Sequence, residues 1–405
     1  MSKRNQKRMI LLGTGMGDNV SYDLRDEFTD TLAAGSVDGT SAMPGPGTRT
    51  VVDTNNKISV GSGVLDFASG VALNDGLWLD AVTRTTGRLM IASLNITSGG
   101  IETGWDSNQT GYAAPVFQLY SNVIKVNFST VVSVGLYTNS TDYLFCVILR
   151  ASGNYFLIKG GEYATWTLLY KSDTNNTASL YPTVKDVTGN FIGTADFIRI
   201  PTALWLPTPV AYDTFTRSNG AIGVSETAGP DGQLVGSRTW SAKLGTWTVA
   251  SNAAVCSVLS GSSDGIATVS DSSNTDVLIG ANLTRAGDDV GLVVRWADAN
   301  NYIYALHNGT NAQLIKVVAG TPTTLINTAA TYSAGARMCV RMMGTAARLY
   351  YNDALIGAQQ TISDAGLQTG TNHGLYSTNT GNTFDNFELF PANSSYDGFL
   401  NQVTA

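Results

Sequence analysis

The chain is poor in the residues that build metal sites and nucleophilic centres. Its 405 residues include two histidines, His307 and His373, and three cysteines, Cys146, Cys256 and Cys339. No CxxC, HExxH or histidine cluster occurs, which speaks against a zinc site or a Cys/His nucleophile. An odd, widely spread cysteine count also speaks against a disulfide scaffold. Each cysteine lies in an apolar run, the setting of a buried small hydrophobe. Glutamate appears 5 times and lysine 9 times; these residues normally fill exposed helix faces, so their scarcity excludes a helical bundle. No apolar run approaches the ~20 residues of a membrane-spanning helix, and no membrane insertion is expected. Four cations precede Met9–Leu12, but that stretch is too short for the apolar core of a signal peptide, so no secretion signal is expected. Gly13-x-Gly15-x-Gly17 lacks the spacing, the preceding strand and the lysine of a phosphate loop, and reads as a hinge.

What is abundant is glycine, 43 residues, together with Thr, Ser, Asn, Asp and Val, and 43% of the chain is apolar. That is too apolar for a disordered chain and fits short strands joined by polar turns. The length accommodates two or three domains. Asp26-Glu-Phe28-Thr recurs as Asp213-Thr-Phe215-Thr; Leu89–Leu94 recurs as Leu278–Leu283; Trp105 matches Trp296, Cys146-Val147 matches Cys339-Val340, and Leu180-Tyr181 matches Leu375-Tyr376. The order is kept and the offset stays near 190, so the sequence reads as a duplicated domain. The division is an arm over 1–21, a β-sandwich over 22–201, a linker over 202–210, a second β-sandwich over 211–392 and a tail over 393–405. The linker carries Pro207 and Pro209 directly after Pro201, which makes it stiff and extended, with Trp205 and Leu206 expected to seat it between the domains. Runs such as Gly291-Leu-Val-Val-Arg-Trp296 and Asn301-Tyr-Ile-Tyr-Ala-Leu306 have strand length and turn-forming flanks. The fold class is all-β, with tandem antiparallel sandwiches.

Asp213-Thr-Phe-Thr-Arg-Ser-Asn-Gly, Leu244-Gly-Thr-Trp247, Gly291–Tyr302 and Phe384-Asp-Asn-Phe387 resemble the concanavalin A-like (laminin G-like) jelly-roll domains. The resemblance extends over 211–391 and reaches 22–201 through the repeat. It implies a jelly roll and, because such modules are frequent in tailed-phage virion proteins, a non-enzymatic tail, fibre or capsid-exterior component located in the virion. Its partners would be other virion proteins or copies of the chain itself. The alternative is a carbohydrate-binding adhesin or lectin of cellular or viral origin. Jelly-roll glucanases carry paired carboxylates in an ExDxxE-type pattern, and none of Glu27, Glu102, Glu162, Glu226 or Glu388 has such neighbours, so no catalytic residue is assigned.

Sugar stacking needs exposed aromatics beside hydrogen-bonding groups, and Trp78, Tyr163 and Trp166 are the candidate glycan contacts. Trp105, Trp247 and Trp296 alternate with apolar residues and are read as core. No cofactor is expected; calcium is a candidate through Asp298, or Asp271 with Ser272 and Ser273, although Asp in turns is equally explained by side-chain-to-backbone turn geometry. The arm, with Lys3, Arg4, Lys7 and Arg8 beside Met9, Ile10, Leu11 and Leu12, is the candidate assembly element. Outside residues 1–12, 20 basic residues face 31 acidic ones, so the arm is expected to dock on an acidic protein surface and not on nucleic acid.

Overall fold

A computed structural model describes residues 20–107, 115–173, 180–270, 273–393 and 395–405. The arm residues Lys3 to Leu12 lie outside the described residues, as do Asp271 and Ser272. The first half contains β1 (Tyr22–Asp26), β2 (Thr50–Val52), β3 (Ile58–Gly61), β4 (Val64–Phe67), β5 (Gly76–Trp78), β6 (Leu89–Ser98), β7 (Ile101–Asp106), β8 (Val116–Tyr120), β9 (Val123–Asn127), β10 (Val131–Leu136), β11 (Asp142–Leu149), β12 (Asn154–Gly160), β13 (Tyr163–Ser172), β14 (Tyr181–Asp186) and β15 (Ile192–Pro201). The second contains β16 (Ala211–Asp213), β17 (Gly220–Ala221), β18 (Trp240–Leu244), β19 (Thr246–Ala250), β20 (Ala253–Val258), β21 (Gly265–Ser270), β22 (Val277–Thr284), β23 (Val290–Asp298), β24 (Asn301–His307), β25 (Asn311–Val318), β26 (Thr321–Ala329), β27 (Ala336–Met343), β28 (Ala346–Tyr351), β29 (Ala354–Thr361), β30 (Asn372–Ser377) and β31 (Thr383–Pro391). One helix, α1 (Asp397–Thr404), follows.

Each half is a two-sheet sandwich. In the first, one sheet runs β13-β12-β11-β6-β15-β4-β3 with β1 on β15, and the other runs β10-β9-β8-β7-β14-β5-β2. Adding sixteen to each of these path labels gives the order in the second half, where β16 takes the place of β1 on β31 and β17 is an extra edge strand. Neighbours are antiparallel, as β6 with β11 and β15, and β22 with β27 and β31. First and last strands pair in both halves. The chain is therefore a tandem pair of antiparallel jelly-roll β-sandwiches.

The recurring Asp-x-Phe has a structural job. Asp26 and Asp213 are fully buried, and each accepts the N–H of the phenylalanine two residues on, at 3.0 and 2.8 Å. Phe28 and Phe215 are held at positive φ by this bond. A guanidinium balances each carboxylate: Arg49 grips Asp26 at 2.6 and 2.8 Å, and Arg217 grips Asp213 at 2.7 and 3.1 Å.

The halves are joined over the outer face of the β31–β22–β27–β28 part of one sheet of the second half. Leu278, Cys339, Tyr350 and Phe390 on that face belong to the apolar cluster of the first half. The Tyr155 and Phe390 rings meet at 5.6 Å, and those of Tyr170 and Tyr350 at 5.4 Å. All three cysteines are free and buried. Cys339 lies at this seam and not in the sandwich interior, and burial pushes its thiol up to about 11.

The last residues do not form a separate tail. In α1, Leu400 and Val403 are buried in the cluster of the first half, Arg199 donates to the Val403 carbonyl at 3.0 Å, and Lys159 donates to Asn401 at 2.8 Å. Trp205 in the linker stacks on Phe399 of this helix (5.4 Å, 15°) and meets Tyr396 edge-on. The expected wedge between domains is thus a clamp that holds the chain's end on the first half. The sequence hid this because the helix and its partner strands are more than 200 residues apart.

Candidate functional site

Strand β23 shows how the site arises. Val290, Leu292 and Val294 alternate into the core of the second half. Continued alternation would place Trp296 there too, but Trp296 belongs to a separate cluster with Val293, Tyr302, Leu306 and Tyr376. The cause is a bulge between Val293 and Trp296 in the pairing with β30, with Arg295 at φ 50°. One extra residue exchanges the faces of everything after it. Arg295 is fully buried and fixes the bulge by donating to Thr275 O (2.8 Å), Gln368 Oε1 (2.9 Å), Asp276 Oδ1 (2.9 Å) and Gly344 O (2.8 Å). Its own N–H donates to Nδ1 of buried His373 at 3.2 Å.

On β24, Ile303 and Ala305 point inward, while Tyr302, Tyr304 and Leu306 lie with Trp296 on the other face. The result is an aromatic row across the sheet: Trp296–Tyr302, Tyr302–Tyr304 and Tyr304–Tyr376 centroids are 4.8, 5.6 and 4.7 Å apart. Tyr304 is the half-buried member. The Tyr376 hydroxyl donates to Asp264 Oδ1 at 2.9 Å. Burial pushes the Tyr304 phenol up to about 12, with Tyr302 and Asp264 adding to the effect; burial raises Tyr376 as well, again with Asp264. Both therefore remain hydrogen-bond donors at any physiological pH. On β25, Gln313 shares the face of the row and donates to Asn327 at 2.9 Å; Lys316, opposite inward-facing Ile303, pairs with Asp364 at 2.6 Å on the other face.

The equivalent face of the first half has taken a different character. Glu102 pairs with Lys185 at 2.7 Å, both fully buried, and accepts from Gln118 at 3.1 Å. Trp78 lies there, 1% exposed, its Nε1 donating to Asp106 at 2.8 Å. Trp105, the repeat partner of Trp296, is in the core and donates to the Val147 carbonyl.

The structure does not bring the expected glycan contacts together. Tyr163 and Trp166 are 2% and 0% exposed. The Tyr163 hydroxyl donates to Leu136 O at 3.2 Å, and the Trp166 backbone N–H donates to Asp397 of α1 at 2.9 Å. With Trp78 equally buried, none of the three rings has an open face for a sugar. Trp296, read as core, is buried, but in the separate cluster on the other sheet face, where it ends the aromatic row. A signal for the row was present in Tyr302-Ile303-Tyr304-Ala305, where both strand faces are apolar and only one can face the core.

The Asp298 carboxylate accepts from the Asn300 N–H at 2.7 Å and the Asn301 amide at 3.0 and 3.1 Å. These bonds hold its carboxyl below the usual range, and the arrangement is a turn closed by an aspartate side chain. Among the described residues no group of three or more His, Cys, Asp or Glu gathers as a metal cage, and no helix is long and apolar enough to cross a membrane.

No family model matches the chain, and no curated protein matches it. Solved structures do. The carbohydrate-binding module CBM66 from Bacillus subtilis is 15% identical, covering 37% of this chain and 94% of its own, with a TM-score of 0.31. The exoplasmic domain of VIP36, in a Ca2+/Man3GlcNAc-bound form, is 8% identical over 40% of this chain and 86% of its own, TM-score 0.31. A β-1,3-glucanase from Mycobacterium marinum is 11% identical over 45% of this chain and 99% of its own, TM-score 0.28. At these identities the likeness concerns the fold.

The virion role expected from the sequence gains no support from these structures. The expectation that the chain is no enzyme is corrected, since a glucanase stands among them. That expectation rested on finding no paired carboxylates along one strand, and folding pairs residues that are far apart in sequence. Asp173 Oδ1 and Glu388 Oε2 flank the single Lys171 ammonium at 2.5 and 2.8 Å. Burial pushes the Asp173 carboxyl up, but Lys171, Arg337 and Arg150 together outweigh it and hold it well below the usual range.

Proposed function

We propose that the chain binds a carbohydrate on the β23–β24 face of its second jelly roll. The observation that carries the reading is the aromatic row Trp296–Tyr302–Tyr304–Tyr376, set on the sheet face turned away from the core. A sandwich needs only one apolar face per sheet; a second, paved with tilted rings in mutual contact and edged by the Gln313 and Asn327 amides, has the composition of a ligand site. Trp296, Tyr302 and Tyr376 are 6, 8 and 5% exposed and support the half-buried Tyr304, whose ring takes the apolar C–H face of a sugar, while the Asp264 carboxylate with the phenol hydroxyls meets its hydroxyl edge.

A glycan array followed by titration calorimetry tests this. Tyr304→Ala is expected to weaken binding roughly tenfold, the worth of one stacked ring, without loss of the thermal transition. A reducing-sugar assay on the same ligands reports any hydrolysis. Absence of saturable glycan binding, or an unchanged affinity in Tyr304→Ala, refutes the reading.

A further inference from the structure

The seam between the two jelly rolls opens into a cleft of about 400 Å³, within the range of small-ligand sites. Both halves build it: Arg150, Ser152 and Asp173 from the first, and Tyr212, Asn282, Arg337, Asn352, Asn386 and Glu388 among the residues from the second. A water-sized crevice lined by Lys171, Arg337 and Glu388 adjoins it.

The cations around the cleft are already matched by carboxylates. Arg150 donates to Asp231 at 2.8 Å and Asp173 at 2.9 Å. Lys171 lies between Asp173 and Glu388. Arg337 reaches Glu388 at 2.5 Å and Asp173 at 3.6 Å. Three cations thus face three carboxylates, and a fourth carboxylate, Asp353, which also lines the cleft, accepts from the Tyr170 hydroxyl at 2.7 Å; an anionic ligand would have to break existing pairs and lie beside Asp353.

What remains open is hydrogen-bonding capacity. Among the described residues the side-chain amides of Asn282, Asn352 and Asn386 have no partner, and all three line the cleft. Burial pushes the Tyr212 phenol up to about 12, so it is a constant donor. Free amides beside a phenol and ion-paired carboxylates suit a ligand that is neutral and carries many hydroxyls, each able to donate and accept.

We infer that the cleft between the jelly rolls is a second binding site, for a neutral mono- or disaccharide. The inference rests on the carbohydrate reading for the class of ligand but uses none of the aromatic row. It makes the bound sugar a bridge between the two halves.

Calorimetry with maltose, cellobiose and laminaribiose on the full chain, the Tyr304→Ala chain and the Asn282→Leu chain tests it. Asn352→Gly is the second variant, because glycine keeps the left-handed backbone of Asn352, φ 49°, while removing the amide. At least one disaccharide is expected to bind the Tyr304→Ala chain with one-to-one stoichiometry, and to bind tenfold or more weakly after Asn282→Leu and after Asn352→Gly. Glucuronate is expected to bind no more tightly than glucose. The inference is overturned if no disaccharide binds the Tyr304→Ala chain, if both cleft variants bind like the parent, or if glucuronate binds tenfold more tightly than glucose. Loss of binding in the cleft variants alone, with Tyr304→Ala unchanged, would sink the aromatic-row reading and leave the cleft standing.

Discussion

Acid should loosen the second jelly roll through one side chain. Burial pushes the His373 imidazole down to about 4 from its usual 6.5; the Asn274 carbonyl opposes this shift, and the Arg295 guanidinium favours it. The neutral ring is built into the sheet: Nδ1 accepts the Arg295 N–H at 3.2 Å, and Nε2 faces the Asn274 carbonyl at 3.2 Å. The folded-state value is depressed, so the unfolded chain takes up the proton first. The neutral-ring contribution is complete above about pH 6.5 and is lost as pH falls toward 4. At about 1.4 kcal/mol per pH unit, the loss over that window is about 3 kcal/mol. Protonation also removes the acceptor that holds Arg295 in the bulge, and the bulge is what turns Trp296 onto the aromatic face. His307, lowered mainly by burial, adds to the same window, so the comparison must be with a variant. Thermal midpoints at pH 7 and 4.5 for the parent and for His373→Gln are the assay, with glycan affinity measured at both pH values. Gln can still accept from Arg295 and donate to Asn274 without titrating, so its midpoint should fall clearly less than that of the parent. Equal pH dependence in the two proteins refutes the reasoning.

Trp205→Gly should release α1 from the first half. Losing the ring that stacks on Phe399 and Tyr396 is worth about 2 kcal/mol, so hydrogen-exchange protection over 397–404 is expected to fall roughly 30-fold while the sandwich strands keep theirs. Unchanged protection would mean that Leu400 and Val403 alone hold the helix. Arg150→Met should destabilise the docked pair by about 3–5 kcal/mol, because Asp231, with a fully buried side chain, would keep only the Tyr155 hydroxyl at 2.9 Å as a partner for the same oxygen. Adding Asp231→Asn should recover much of that loss in a denaturation series; no recovery would place the cost in packing and not in charge.

The sequence by itself determined the fold class and the duplication. Strand length, turn residues and the recurrence of Asp-x-Phe, the Leu89–Leu94 stretch and Cys-Val are local features, and a local pattern repeated at a constant offset needs no tertiary information to read. The burial of the cysteines was legible for the same reason. Where alternation is interrupted, the reading kept the burial and missed the face. Trp296 follows the parity of Val290, Leu292 and Val294 in the sequence, and only the bulge at Arg295, fixed by partners as distant as Gly344, His373 and Gln368, reverses its face. Trp78, Tyr163 and Trp166 looked like surface rings because nothing nearby covers them; distant elements do, as α1 does for Trp166. The seam is the clearest case. Arg150, Lys171, Asp231, Arg337 and Glu388 are scattered over more than 200 residues, and apart from Lys171 with Asp173 none has a partner readable at short range. Their pairing, and the cleft that opens beside it, exist only because one outer sheet face of the second jelly roll is docked on the first.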